Sequence, residues 1–322
     1  MRLVFFGTPA FAVPTLDRLA GAAEHEVVAV VSQPDRPRGR GRSVQPSPVS
    51  AAAVRRGLHL LRPERVGAPE VALALRAAAP DLGVVVAFGQ FLPRHVRELP
   101  RRGYLVNAHA SALPRHRGAA PIARAILAGD SETGISVMRV EREMDAGPVA
   151  LIRTTAIAPD ENAGELTDRL ALLAADAIAE TLSRIADDSV HWSEQDASRA
   201  TLAPKIAPGD QEIDWAESAA AIARRVRALA PTPAAHTARD GELLRILAAR
   251  AEPGPSDRPA GVIRARSGEP LRVATGDGWL CPERVQRAGG KPLDIAAYLR
   301  GRPISDGDRL GAQRGAAPSH NL

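Results

Sequence analysis

Residues 81–89 read DLGVVVAFG, a continuous apolar run that ends in a glycine. A strand with one wet face would alternate apolar and polar residues. An unbroken run bounded by turn residues is the pattern of a parallel strand covered on both faces. The flanks carry the same rhythm. Upstream, RLVFFG (2–7) reads as a strand, AVPTLDRLAGA as a helix, HEVVAVVSQ as a second strand, and VSAAAVRRG and PEVALALRAAAP as helices. Downstream come a strand in GYLVNAHAS (103–111), a helix in GAAPIARAILAGD (118–130), and a hairpin formed by TGISVMRVE and GPVALIRTTAI. A long amphipathic helix then fills AGELTDRLALLAADAIAETLSRIA, with Asn162 or Thr167 near its start. Strands alternating with helices predict a doubly wound α/β domain.

The 322 residues exceed what one core usually serves, so a second domain is expected. The texture changes near residue 188, where a polar stretch without helical periodicity begins. Beyond it lie one helix, AESAAAIARRVRALAP, and short strands in LLRILAAR, GVIRARSG, PLRVATGDG and WLCPERVQRAGG. A last helix, DIAAYLRGRP, precedes a glycine-rich tail. Short strands joined by Gly, Asp and Pro turns predict a small β-barrel. The expected organisation is an α/β domain over 1–188, a linker over 189–206, a barrel over 207–312 and a disordered tail over 313–322.

Composition removes several classes of function. One cysteine, Cys281, excludes a disulfide framework and a cysteine-based zinc cluster. The N-terminal apolar run is interrupted by Gly7, Thr8 and Pro9, too early for a signal peptide or a membrane span of about 20 residues. A soluble, cytoplasmic protein is expected. Strand one ends in FFGTPAFA, with one glycine where a dinucleotide fingerprint needs three, so NAD binding is rejected. The net charge of +5 invites a nucleic-acid reading. Lys205 and Lys291 are the only lysines, however, so arginine richness is a bias of the whole chain and only local clustering counts. No sustained apolar face lacks a partner, which implies a monomer.

Four stretches can carry chemistry. In LVNAHASALPRHRGAAP (105–121), Asn107 and His109 are two residues apart in a strand and so share a face. They stand at the carboxyl edge of the sheet, where open α/β sheets place ligands. An amide beside an imidazole can polarise a carbonyl, or simply cap a strand end. Asp145, in an Asp-Ala-Gly-Pro turn, either bonds its own backbone or orients an imidazole. The stretch SQPDRPRGRGRSVQPSP (32–48) sets Arg36, Arg38, Arg40 and Arg42 against Asp35 alone, an exposed loop of charge +4 − 1 = +3. Arginine forks suit phosphates, though a solvated loop is the plain alternative. Finally, Phe88-Gly89-Gln90 ends the opening strand with a glycine that lets a flat ligand approach the backbone.

Taken together, FFGTPAFAVPTL, SQPDRPRGRG followed by PSPV, VVVAFGQFLP, VNAHASALPRHRGAAPI, ETGISVMRVEREMDAGPV, APKI…IDW and GGKPLDIAAYLRGRP resemble the methionyl-tRNA formyltransferase family over essentially the whole chain. The resemblance implies a Rossmann-like formyltransferase domain that binds 10-formyltetrahydrofolate, joined to an OB-like barrel. It implies transfer of the formyl group to the α-amine of methionyl initiator tRNA for translation initiation, without a metal. It places catalysis on Asn107, His109 and Asp145. Asn107 and His109 would donate to the developing oxyanion, and Asp145 would hold His109 and relay the amine's proton through water to N10. It places the folate along Phe88, Gly89, Gln90, Phe91 and Leu92, the Ser111-Ala112-Leu113-Pro114 turn, and Ala146 and Gly147. tRNA contacts fall on Arg36, Arg38, Arg40, Arg42 and Lys205, with Arg40 foremost. The chain departs from the family pattern at Ala112, at His116 and in PTPAAHT, which lacks the usual aromatic-Pro-Gly element. Two other activities use the same Asn/His/Asp set: formyl transfer to an amino sugar and hydrolysis of formyltetrahydrofolate. A non-catalytic RNA-binding protein is the reading from a different class.

Overall fold

The computed structural model describes residues 1–38 and 43–311. In chain order the elements are β1 (Arg2–Gly7), α1 (Val13–Gly21), β2 (Glu26–Val31), β3 (Arg36–Arg38), β4 (Ser43–Gln45), α2 (Pro48–Arg55), β5 (Leu60–Leu61), α3 (Pro69–Ala78), β6 (Leu82–Val86), α4 (Arg94–Arg97), β7 (Leu105–His109), α5 (Pro121–Ala128), β8 (Glu132–Arg139), β9 (Val149–Ala156) and α6 (Ala163–Ala186). There follow α7 (Ala219–Leu229), β10 (Ala235–Arg239), β11 (Glu242–Pro253), β12 (Ile263–Arg264), β13 (Arg272–Ala274), β14 (Gly278–Arg287), β15 (Leu293–Asp294) and α8 (Ile295–Gly301). They gather into two compact units. The first holds Met1–Ile122, Ser131–Ile157 and Leu166–Pro204; the second holds Ala123–Asp130, Ala158–Glu165 and the chain from Lys205 onward.

The first unit is built on a seven-stranded sheet in the order β5-β2-β1-β6-β7-β8-β9. The first five strands are parallel. The sheet is mixed rather than parallel throughout, because β8 runs antiparallel to β7 and β9 antiparallel to β8. All five residues of β6 are buried, as its unbroken apolar run predicts. On one face Val4, Phe6, Val31, Val85 and Leu105 pack with Val71 and Leu75 of α3 and with Phe88, Leu92 and Val96. The long helix starts where its signal lies. Asn162 Oδ1 accepts the N–H groups of Gly164 and Glu165 at 2.9 and 3.1 Å, and Glu165 returns a bond to the Asn162 N–H at 3.0 Å.

The chain leaves β1 for β2 and β5 on one side, then crosses back to β6 and β7 on the other, which puts the topological switch point between β1 and β6. Side chains of two neighbouring loops meet at that position. Thr8 Oγ1 and Gln33 Nε2 both donate to the Phe88 carbonyl, at 2.9 and 3.0 Å. A Cβ on Gly89 would run into Gln33. These bonds brace the loops that follow β1, β2 and β6 against one another, and β7 offers the next carboxyl end.

Two segments differ from expectation. Residues 36–38, expected as loop, pair antiparallel with 43–45, opposing Pro37 to Val44 in a short two-stranded ribbon. Residues 193–203, expected within a linker, are bonded into the first unit. Ser193 and Val149 exchange both backbone bonds, at 2.8 and 2.9 Å, and Ala203 N–H donates to the Arg117 carbonyl at 2.7 Å. Polar side chains without periodicity conceal this because the bonds come from the backbone.

The second unit curls an antiparallel sheet in the order β10-β11-β14-β13-β12, with β15 on β14, around a core of Ile222, Val226 and Leu229 of α7 with Ile246, Val273, Leu280 and Val285. This is a small barrel-like domain. Strand β10 was hidden in the sequence by the prolines just before it and by its own His and Arg. No helix among the described residues is long and apolar enough to cross a membrane.

Candidate active site

Strand β7 carries Asn107 and His109 to the sheet's carboxyl edge. In register, Asn107 lies between Val85 of β6 and Met138 of β8, and His109 opposite Ser136. Asn107 is half-buried, and its side-chain amide makes no hydrogen bond among the described residues. The amide is not among the buried atoms, so it is open to solvent and available to a ligand.

His109 is buried, with 6% of its side chain exposed, and both ring nitrogens face protein. Nε2 lies 2.8 Å from the His116 carbonyl oxygen. A carbonyl only accepts, so Nε2 carries the proton of this bond. Nδ1 faces Asp145 Oδ2 at 3.5 Å, at the outer limit of a hydrogen bond. Asp145 Oδ2 also accepts the Gly118 N–H at 2.9 Å. The histidine, the aspartate and the two loops that present them therefore close on one another.

Each loop is pinned. After β7, Ser111 Oγ donates to the Arg115 carbonyl at 2.6 Å, and Ser136 Oγ donates to the Ser111 carbonyl at 2.8 Å while accepting the Leu113 N–H at 3.0 Å. His116 adopts φ +57° and its N–H donates to Thr201 Oγ1 at 2.9 Å. Gly118, at φ +129°, passes so close to Ala203 that a Cβ would lie 2.7 Å from its carbonyl oxygen. Between β8 and β9, Asp145 sits at φ +53°, a left-handed conformation that Asp tolerates better than most residues. The base of that loop is held by Arg139, whose guanidinium lies 4.4 Å from the ring centres of both Tyr104 and Trp192.

The residues expected to face the folate divide in two. Phe88 and Leu92 are core residues, and Phe88 packs edge-on against Phe6 at 5.5 Å. Gln90 is committed to structure: its Oε1 accepts the Val66 N–H at 2.9 Å and its Nε2 donates to the Pro63 carbonyl at 3.2 Å. Gly89 and Phe91 are exposed, and Gly89 takes φ +82°. Ser111 and Leu113 are buried, Ala112 and Pro114 half-buried. Ala146 is half-buried, and Gly147 is buried so tightly against the Arg139 carbonyl that no Cβ fits. Of the tRNA candidates, Arg36 and Lys205 are exposed; Arg40 and Arg42, like the tail 313–322, lie outside the described residues. Asp35, the one carboxylate in the arginine stretch, is paired with Arg62 at 2.5 Å. Among the described residues no group of three or more His, Cys, Asp or Glu could hold a metal ion.

Sequence reading missed Ser136, Thr201 and Gln195. All act through contacts across long sequence separations, and none carries a local motif.

Comparison with known proteins bears on the whole chain. Residues 1–182 match the model of the formyl transferase family, and residues 205–303 match that of the formyl transferase C-terminal domain. A methionyl-tRNA formyltransferase of Halorhodospira halophila is 47% identical, covering 95% of this chain and 98% of that protein. Among solved structures, a methionyl-tRNA formyltransferase from Clostridium thermocellum aligns over 86% of this chain and all of its own, with TM-score 0.53 and 13% identity. HypX from Aquifex aeolicus in complex with tetrahydrofolic acid aligns over 97% of this chain and 51% of its own, with TM-score 0.61 and 17% identity. At such identities the structural likeness speaks for the fold alone.

Proposed function

The chain belongs to the methionyl-tRNA formyltransferase family, and we propose that it moves a formyl group from 10-formyltetrahydrofolate to the α-amine of methionyl initiator tRNA at the carboxyl end of β7. The observation that carries this reading is the closure of His109 on Asp145 beside the unpartnered Asn107 amide. The unpartnered amide suits the donor: it offers N–H groups where a formyl oxygen needs polarisation. Bound there, the folate supplies an activated formyl carbon.

The attacking α-amine needs no strong base, since its ordinary pKa near about 8 leaves much of it neutral at physiological pH. A C–N bond forms to the amine, the C–N10 bond breaks, and the amine's proton must reach N10. Asn107 donates to the formyl oxygen as negative charge develops. His109, held between the His116 carbonyl and the Asp145 carboxylate, sets its imidazole on the same strand face beside that oxygen. Asp145 fixes the ring and accepts the proton through water on its way to N10. Gly89 leaves an approachable backbone for a flat ring, and the Ser111–Pro114 turn forms the opposing wall. Leu113 and Ser111 are immobilised by Ser136, so that wall is rigid.

For the tRNA, the ribbon of β3 and β4 presents Arg36, with Arg38, Arg40 and Arg42 following in sequence. Arg62 holds the neighbouring Asp35, which lessens its opposition to a phosphate. Lys205, exposed in the second unit, is a further candidate phosphate contact. The protein is expected to act as a cytoplasmic monomer.

The test compares methionyl-tRNA with free methionine and an amino sugar as formyl acceptors. Preference for methionyl-tRNA by orders of magnitude in kcat/KM is expected; equal use of the small amines sinks the tRNA assignment. Arg40→Ala is expected to raise KM for tRNA and leave KM for the folate unchanged.

A further inference from the structure

Both protein partners of His109 depend on one segment that lies outside the catalytic loops. Gln195 Nε2 donates to the carbonyls of Asp145 and Gly147, each at 2.8 Å. Gln195 Oε1 accepts from Arg117 Nε and Nη2 at 3.0 and 2.8 Å. One amide thus joins the Asp145 turn to the loop that carries His116 and Gly118. Six residues on, Thr201 accepts the His116 N–H through its hydroxyl and the Arg117 N–H through its carbonyl, at 2.9 and 2.8 Å. Ser193, bonded to Val149, anchors the start of the segment, and Ala203, bonded to Arg117, anchors its end.

We propose that Gln195 is a positioning residue for formyl transfer: it holds Asp145 in its left-handed turn, and so fixes the carboxylate against His109. The inference rests on the catalytic roles assigned above to His109 and Asp145. The physical argument concerns what else could hold the turn. Asp145 keeps φ +53°, a left-handed conformation that side-chain-bearing residues seldom adopt. It persists only where surroundings over-determine it. The Asp145 side chain is already engaged with Gly118 and His109, so it cannot also hold its own backbone by a turn bond. The backbone bond across the loop, from Ala146 N–H to the Glu143 carbonyl, is long at 3.5 Å. The carbonyls on either side of Ala146 are instead gripped together by the Gln195 amide. Gln195 is itself oriented by the Arg117 fork, so its O and N are assigned by chemistry: a guanidinium needs the oxygen and the two carbonyls need the NH2 group. Arg117 is buried, with 8% exposed, and the contact from Arg117 to Glu143 is looser at 3.7 Å.

The segment therefore does more than lead the chain from one unit into the next. Its substitution should reach chemistry before it reaches binding, because it sets the turn that aims Asp145, while Gly147, expected at the folate, is also packed against the Arg139 carbonyl. Gln195→Met keeps the volume and removes every hydrogen bond. Gln195→Glu keeps the acceptor for Arg117 and loses the donors to Asp145 and Gly147. In the full-length protein, Gln195→Met is expected to lower kcat for methionyl-tRNA by roughly 10- to 100-fold, as a displacement near 1 Å does. KM for 10-formyltetrahydrofolate and for tRNA should stay within about twofold, a split that a merely structural role does not produce. Gln195→Glu should be as slow as Gln195→Met. Wild-type kcat in Gln195→Met, or full restoration by Gln195→Glu, overturns the proposal, as does a change confined to KM or to melting temperature. Asp145→Asn measured alongside separates the two levels. If it is inactive while Gln195→Met is unimpaired, the positioning role alone fails. If Asp145→Asn retains wild-type kcat, the catalytic assignment fails and the positioning role with it.

Discussion

The Oδ2 atom of Asp145 is shared: it accepts the Gly118 N–H at 2.9 Å and faces His109 Nδ1 at 3.5 Å. One carboxylate oxygen thereby ties the loop after β7 to the loop after β8 and faces the imidazole. Asp145→Asn keeps the shape and removes the charge, so it should lower kcat by about 10²-fold or more while the folate still binds. Asn107→Ala, which removes an oxyanion donor, should cost about 10²–10³ in kcat. Single-turnover transfer with saturating folate checks both; a change in folate KM with kcat intact would reassign these residues to binding.

Gly147 touches the carbonyl of Arg139 too closely for any Cβ. Gly147→Ala must push the loop off β8, a strain of about 1–3 kcal/mol of the kind overpacking produces. Because Asp145 lies two residues away on the same loop, activity should fall further than stability. Thermal melting and kcat measured on one preparation distinguish the two, and a variant with normal kcat would show that the loop absorbs the shift elsewhere.

In the second unit, Asp306 accepts two parallel bonds from Arg258, at 2.9 and 2.7 Å, and the Ala265 N–H at 2.9 Å. The Arg258 bonds hold its carboxyl at about 2, below the ordinary 3.8. A group depressed in the folded state stabilises fully above its unfolded value and loses that contribution as pH falls through the folded one. Asp306→Asn should therefore be less stable than the parent at pH 7. The gap should hold down to about pH 4 and close toward pH 2. Chemical denaturation across that range measures it; a gap that widens in acid is the contrary result.

Cys281, on β14, is 2% exposed, and desolvation pushes its thiol up to about 11. The thiolate is the reactive form, so both exposure and ionisation oppose modification. At pH 8 the native protein should leave a disulfide reagent unreacted for as long as it stays folded, and denaturant should release one equivalent. Rapid native labelling would contradict the burial of this strand.

Much of this was legible in the chain. The unbroken VVV run of β6, the span of α6 and the shared face of Asn107 and His109 follow from periodicities of two and 3.6, which are local properties of the backbone. The motifs that mark the family are contiguous as well, and they identified the reaction. What the sequence could not reveal is the work of residues whose partners are far away. Gln90 looked like a ligand contact until its amide was found bonded to Val66 and Pro63. Gln195 sits in a polar stretch with no pattern, yet its amide grips the Asp145 turn. Side-chain hydrogen bonds to backbone carbonyls have no periodicity and impose no residue spacing, so only the folded chain reveals them. The sequence alone put Asn107 and His109 on one face of a strand end; tertiary structure decided what holds them in place, because that depends on segments brought together only when the sheet has formed.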